Sequence, residues 1–69
     1  NGTKLLEIRK FSDEKKEFGK ISHITKDGFT LAVKDGEIEI LKLQEPSKKA
    51  ILARDFINGK RLKIGDRIS

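Results

Sequence analysis

The sequence predicts a mainly β domain: a small antiparallel barrel of five or six strands carrying one short helix. Three observations predict it. Asp27-Gly28 and Asp35-Gly36 punctuate a run of alternating apolar and polar residues, the pattern of a hairpin meander. The stretch from Glu37 to Leu43 changes its apolar face part-way, as strands do where a barrel turns a corner. One stretch alone, Ala50 to Ile57, places its apolar residues at helical spacing.

Taken in order, Thr3 to Arg9 reads as a short strand, with Leu6 and Ile8 on one face and Leu5 on the other. Lys10 to Glu17 is dense in mixed charge without apolar periodicity, so it reads as a solvated loop whose flanking Phe11 and Phe18 pin its ends to the core. Gly19 to Thr25 is a second strand. Its Ile21 and Ile24 stand three apart, which breaks strict alternation and predicts a bulge. Asp27-Gly28 offers two positive-φ positions for a tight turn, Phe29 to Val33 alternates cleanly, and Asp35-Gly36 offers a second turn. Ile38 and Ile40 then lie on one face and Leu41 and Leu43 on the other, so residues 19–43 form a three-stranded antiparallel meander.

Beyond Pro46 two readings stay open. Ser47 caps a helix that begins there, or Lys48–Ile51 is a strand and the helix covers about Leu52–Asn58. In both, Gly59 is the expected C-terminal cap. Lys60–Ile64 and Arg67–Ile68 read as extended pieces around a Gly65-Asp66 turn. Strand, meander, helix and short strand in that order suit a barrel of the OB type, open or incomplete. Its expected core holds Leu6, Ile21, Leu31, Ile40, Ile51, Phe56 and Leu62.

Bulk properties narrow the function. Sixty-nine residues make one domain, and its 24 apolar residues supply one small core without an enzyme-sized internal pocket. Cysteine is absent, so thiolate chemistry and a disulfide framework are excluded. His23 is the only histidine and reads as a surface strand residue; with no cysteine beside it a zinc site is not credible. Asp35, Glu37 and Glu39 resemble a carboxylate cluster, but beside a turn they read as solvated charge. The serines stand in no nucleophile motif, and the glycines form no phosphate loop. No apolar run is long enough to span a membrane. The chain alone is expected to be non-catalytic, metal-free, cofactor-free and monomeric.

Charge supplies the positive signal. Residues 1–45 carry nine basic and nine acidic residues, which cancel. Residues 46–69 carry seven basic residues and two acids, so the whole net charge of +5 resides there. Clustered cations displace counterions from phosphates, which points to a polyanion partner. With no Trp or Tyr, and with Phe29 and Phe56 in core positions, base stacking is a minor theme; phosphate contacts suit these residues better.

The same segment resembles a known family. Leu43-Gln44-Glu45-Pro46-Ser47-Lys48-Lys49, then Asp55-Phe56-Ile57-Asn58-Gly59-Lys60-Arg61 and Gly65-Asp66-Arg67-Ile68, are similar to the C-terminal domain of methionyl-tRNA formyltransferases. Gly19-Lys20-Ile21, Lys26-Asp27-Gly28-Phe29 and Asp35-Gly36 look like that domain's meander, and residues 1–9 like its first strand. The resemblance implies that residues 1–69 are one C-terminal OB-like domain, part of a longer enzyme whose Rossmann-type N-terminal domain holds the catalytic groups. The absence of methionine from the chain agrees with that expectation.

By the resemblance, the parent enzyme formylates initiator Met-tRNA from 10-formyltetrahydrofolate, in the bacterial cytoplasm or an organelle. By the same resemblance this domain docks the tRNA through Lys48, Lys49, Lys60 and Arg61 and packs with the catalytic domain; the charge segregation adds Lys63 and Arg67 as phosphate contacts. Three residues depart from the family pattern: Glu45 interrupts Leu-Gln-Pro, Ser47 replaces a usual Gly, and Leu52 replaces a Ser that caps the helix, whose family start favours the shorter reading. Two alternatives remain: a structural domain of a formyltransferase acting on a nucleotide sugar or folate, without RNA, and a free-standing RNA-binding barrel. The charge imbalance favours tRNA docking over the first, and the missing methionine favours an excised domain over the second.

Overall fold

A computed structural model describes residues 2–67, and it shows a five-stranded antiparallel sheet with one helix packed on one face. The strands are β1 (Lys4–Ser12), β2 (Ile21–Ile24), β3 (Phe29–Val33), β4 (Gly36–Gln44) and β5 (Ile51–Leu52), followed by α1 (Ala53–Lys60). Their order is β1-β4-β3-β2, with β5 also paired to β4. The mainly β class, five strands and single helix match the sequence reading. The sheet is open rather than closed into a barrel.

Strand β4 is the centre. β1 pairs along one edge of it, from Lys4 with Gln44 to Ser12 with Glu37. The other edge is shared, β3 taking Gly36 to Ile40 and β5 taking Lys42 and Leu43. The face switch expected in β4 is a bulge: between the Glu7–Lys42 and Ile8–Ile40 pairs, Leu41 is the extra residue. Because of it Leu43 returns to the side of Ile40, and both are fully buried. A matching shift in β1 at Leu6 puts Leu5 opposite Leu43 and Ile8 opposite Ile40, so Leu5 rather than Leu6 shares a side with Ile8. The bulge expected in the second strand is also present, between Ile21 and His23.

The core is Ile21, Phe29, Ile40, Leu43, Ala53, Phe56 and Ile57, with Leu31, Ile38 and Leu62 packed against it. Leu6 and Ile51, expected inside, are exposed. Leu6 is the bulged residue of an edge strand, and Ile51 lies on a two-residue strand paired on one side only. Phe11 and Phe18 do not anchor the loop to the core either, being 44% and 65% exposed. The first strand runs on to Ser12, because Lys10 and Ser12 find partners in Ile38 and Glu37; the solvated loop therefore starts at Asp13.

Glycine acts differently from expectation at the first turn. Gly28 has no positive φ; a Cβ there would collide with the Ile40 carbonyl oxygen and sit 2.9 Å from the Ala53 Cβ. It is needed for close approach of the turn to β4 and the helix, not for turn handedness. At the second turn the loop residues are Lys34 and Asp35, and Gly36 opens β4 with φ 153° beneath the Ser12 carbonyl.

The helix begins at Ala53, the shorter reading, after the two-residue strand β5. It ends two residues beyond Gly59, at Arg61, which adopts the left-handed conformation (φ 53°, ψ 45°) and donates its backbone N–H to Ile57 O. Residues 61–66 carry no strand, contrary to the expected extended piece at Lys60–Ile64. Ile64-Gly65 forms a turn, and Arg67 bridges to Lys20; Ile68 lies outside the described residues.

Phe56 is 5% exposed and stacks on Phe29 with ring centroids 6.2 Å apart. Phe56→Ala is expected to cost about 3–5 kcal/mol, whereas Phe11→Ala at an exposed site costs far less. Urea midpoints of the two variants check the difference; equal midpoints would overturn the core assignment.

Candidate functional site

The chain leaves β4 through a turn at Pro46-Ser47, where Lys48 N–H bonds Glu45 O at 3.1 Å and Gln44 Nε2 donates to Lys48 O at 2.8 Å. That turn sets Lys48 Nζ 3.8 Å from Glu45 Oε1. From the last turn of α1, Lys60 Nζ reaches the other Glu45 oxygen at 3.0 Å and lies 5.5 Å above the Phe56 ring. Glu45 is thus set between two of the six candidate cations. The Lys60 ammonium, then Lys48, holds its carboxyl below the ordinary glutamate range.

The other four are exposed but placed differently. Lys49 follows Lys48 just beyond the turn, and Arg61 is the left-handed residue that ends the helix. The Lys63 backbone N–H donates to Asp66 Oδ2 at 2.8 Å, which fixes the tail turn. Arg67 is drawn to the β1–β2 loop, donating to Phe18 O at 3.1 Å and lying 3.4 Å from Glu17. The structure therefore brings Lys48 and Lys60 together around Glu45, and ties Arg67 beside β2.

Sequence reasoning missed a second constellation. Glu37 and Glu39, read as solvated, are 2% and 5% exposed. Both lie on the face of β4 opposite Ile38 and Ile40. Arg9 Nε donates to Glu39 at 2.6 Å and the Thr25 hydroxyl donates to its other oxygen at 2.7 Å. The Ser12 hydroxyl donates to Glu37 at 2.6 Å, and His23 Nε2 lies 3.4 Å from Glu37 Oε2, which has no hydrogen-bond partner among the described residues. Ser22 and Thr30 share a hydroxyl–hydroxyl bond alongside. The rings of Phe11 and His23 meet at 5.4 Å, although β1 and β2 are not neighbours in the sheet.

These contacts anchor both carboxylates, Glu39 through both oxygens and Glu37 through one, so the cluster ties β1, β4 and the β2–β3 turn together. The signal for it was the polar alternation Ser22, Thr30, Glu37, Glu39 on successive strands, readable only once the register is known. Hydroxyls of Ser12 and Ser22 hold Glu37 below the usual carboxylate range against the opposing effect of burial; Arg9 and Thr25 do the same for Glu39.

Among the described residues no group of three or more His, Asp or Glu is placed to hold a metal ion, and no helix is long and apolar enough to cross a membrane. The family model of the formyl transferase C-terminal domain matches residues 1–61. The chain belongs to that family. Methionyl-tRNA formyltransferases of Campylobacter fetus and Campylobacter curvus are each 45% identical to it, over 97% and 100% of this chain. That of Campylobacter lari is 42% identical over 99%. The chain spans only 22–23% of the length of these relatives.

Within the formyl transferase C-terminal domain pattern, the departures now have structural meanings. Ser47, where the resemblance implies a Gly, has a φ of 63°, a conformation that costs a non-glycine residue about 1 kcal/mol. Leu52 is the N-cap of α1 and makes no side-chain cap bond, so the helix lacks the ~1 kcal/mol that a Ser there contributes. Four of the six candidate cations, Lys48, Lys49, Lys60 and Arg61, fall inside the matched residues, while Lys63 and Arg67 lie beyond them.

Both buried glutamates have lowered folded pKa values, so their contribution to stability is complete above the ordinary range near ~4.3 and is lost as pH falls through the folded values. Urea midpoints should fall as pH drops below about 5. In a Glu37→Gln/Glu39→Gln variant that fall should be distinctly shallower; an unchanged slope would refute the role given to this pair.

Proposed function

We propose that this domain docks initiator Met-tRNA for a methionyl-tRNA formyltransferase, holding it for N-formylation by the catalytic part of the same protein. The observation that carries this reading is the segregation of charge: the whole net +5 lies in residues 46–69, where Lys48, Lys49, Lys60, Arg61, Lys63 and Arg67 are all exposed. Relatives at 42–45% identity bear the name methionyl-tRNA formyltransferase, which supports the choice of tRNA as the polyanion. Contacts of this kind go to phosphates, and they position the nucleic acid without reading its sequence. No catalytic group is assigned to this chain, and 10-formyltetrahydrofolate belongs to the catalytic part. The domain acts as one copy within a bacterial cytoplasmic or organellar enzyme.

Glu45 favours a second reading. It sits between Lys48 and Lys60 and offsets part of their field, as fits a structural domain of a related formyltransferase that binds no RNA. Salt-dependent titration separates the two. With roughly 3–5 phosphates neutralised, log K for initiator tRNA should fall against log salt with a slope of about −2 to −5. The Lys48/Lys49/Lys60/Arg61 quadruple Ala variant should lose most of that affinity, while Lys15→Ala or Lys16→Ala, in the charge-balanced loop, changes little. Binding unaffected in the quadruple variant, or absent at low salt, would move the structural reading to first place.

Arg61→Gly separates charge from fold. Glycine relieves the left-handed cap, so stability should rise by up to about 1 kcal/mol. Affinity for tRNA should nevertheless drop, with the salt slope smaller by about one. Thermal midpoint and tRNA titration on the same variant read the opposite signs; tighter or equal binding would remove Arg61 from the interface.

A further inference from the structure

We propose that β1 is the surface on which the catalytic part of the same polypeptide packs; this rests on the reading above that the chain is one part of a longer formyltransferase. The first eight residues of β1 are all exposed, and among them Leu5, Leu6, Ile8 and Phe11 are each 40–49% exposed. Four large apolar side chains on one strand are more than an isolated domain of this size leaves in water without use. β1 is also the end of the sheet, with β4 on one edge and, among the described residues, no strand on the other. The helix packs mainly against β4, β5 and β3. An open depression beside it, lined by Leu41 and Leu52 with Glu7, Arg9, Asp27 and Arg54, sets a charged rim next to the apolar side chains.

Two observations select the occupant. Of the strand's three cations, Arg9 is committed to the buried Glu39 and Lys10 pairs with Asp13, each at 2.6 Å, while Lys4 stands apart at the strand's start, so β1 carries no cation cluster like that of residues 46–69. The relatives that match the whole chain devote only 22–23% of their length to it, so more than three quarters of such a protein lies outside these residues. An apolar patch of that remainder, held at high effective concentration by the shared chain, fits an exposed apolar edge strand better than a transient partner does.

Hydrogen exchange on the full-length protein tests this. Amides of β1 not bonded to β4 should exchange at least about tenfold more slowly than an uncovered strand edge allows. Leu6→Glu/Ile8→Glu, at exposed positions, should restore fast exchange there and enlarge the radius of gyration in solution scattering. Protection of β3 and α1 should stay unchanged, which shows that the domain remains folded. Fast exchange of β1 in the wild type, or scattering unaltered by the double substitution, overturns the proposal. Protection that appears only when tRNA is added overturns it in favour of RNA. Protection that grows with protein concentration, with a dimer mass in sedimentation, overturns it in favour of a second copy. A formyl-transfer assay on the wild-type protein reads the parent function separately: inactivity with Met-tRNA sinks that reading, while the exchange data still judge the packing.

Discussion

Everything in this domain is arranged around β4, which must satisfy three strands with nine residues. One edge goes to β1, and the other is divided between β3 and β5. A regular strand would alternate its side chains throughout, and Leu43 would then point away from Ile40. The bulge at Leu41 resets the alternation between the two halves, so the stretch facing β3 and the stretch facing β5 present their apolar residues to one core. The helix depends on the same adjustment, because Ala53 follows directly from β5 and packs near Ile40 and Gly28.

How far the sequence showed this depends on what each signal measured. The meander was legible because Phe29-Leu31-Val33 alternate between two Asp-Gly pairs, and the bulges because Ile21/Ile24 and Ile40/Leu41/Leu43 break alternation by one residue. The extent of β1 was not, because Lys10 to Ser12 on an edge strand look the same in composition as a loop. Glu37 and Glu39 were misplaced for a related reason. A carboxylate beside a turn is ordinarily solvated, and what buries these two is the arrival of Arg9, Ser12 and Thr25 from other elements, information that resides in register. Of the candidate site, the exposure of the six cations was legible; the grouping of Lys48 with Lys60 through Glu45 was not, since a turn, a short strand and a whole helix separate Glu45 from Lys60.

The two faces of the sheet solve different problems. The face toward the helix gains from dense apolar packing, and its residues contribute the cohesive part of the fold. The opposite face holds two carboxylates out of water, which is costly unless each finds donors. Arg9, Thr25 and Ser12 supply them from strands or turns distant in sequence, so the polar face contributes less to cohesion than to register: a slipped β1 would strand a buried charge. Glu45 is the partly buried counterpart at the surface; its partners Lys48 and Lys60 are exposed, and water and salt weaken its hold on them, leaving those side chains free to exchange it for a phosphate.

The tail after the helix fastens the far edge of the sheet. Gly65 N–H bonds Ile21 O at 2.8 Å, Ile21 N–H bonds Asp66 O at 2.9 Å, and Arg67 closes over the Phe18 carbonyl. Ile21 is a core residue on the outermost strand, and this tail is what satisfies both of its backbone groups. The match to the family model ends at residue 61, six positions short of Arg67. A domain boundary drawn from the pattern alone would therefore cut away that clasp and leave Ile21 as a frayed margin. The physical unit of this fold reaches to the point where the chain returns to its second strand, and any dissection of the parent protein has to keep that return.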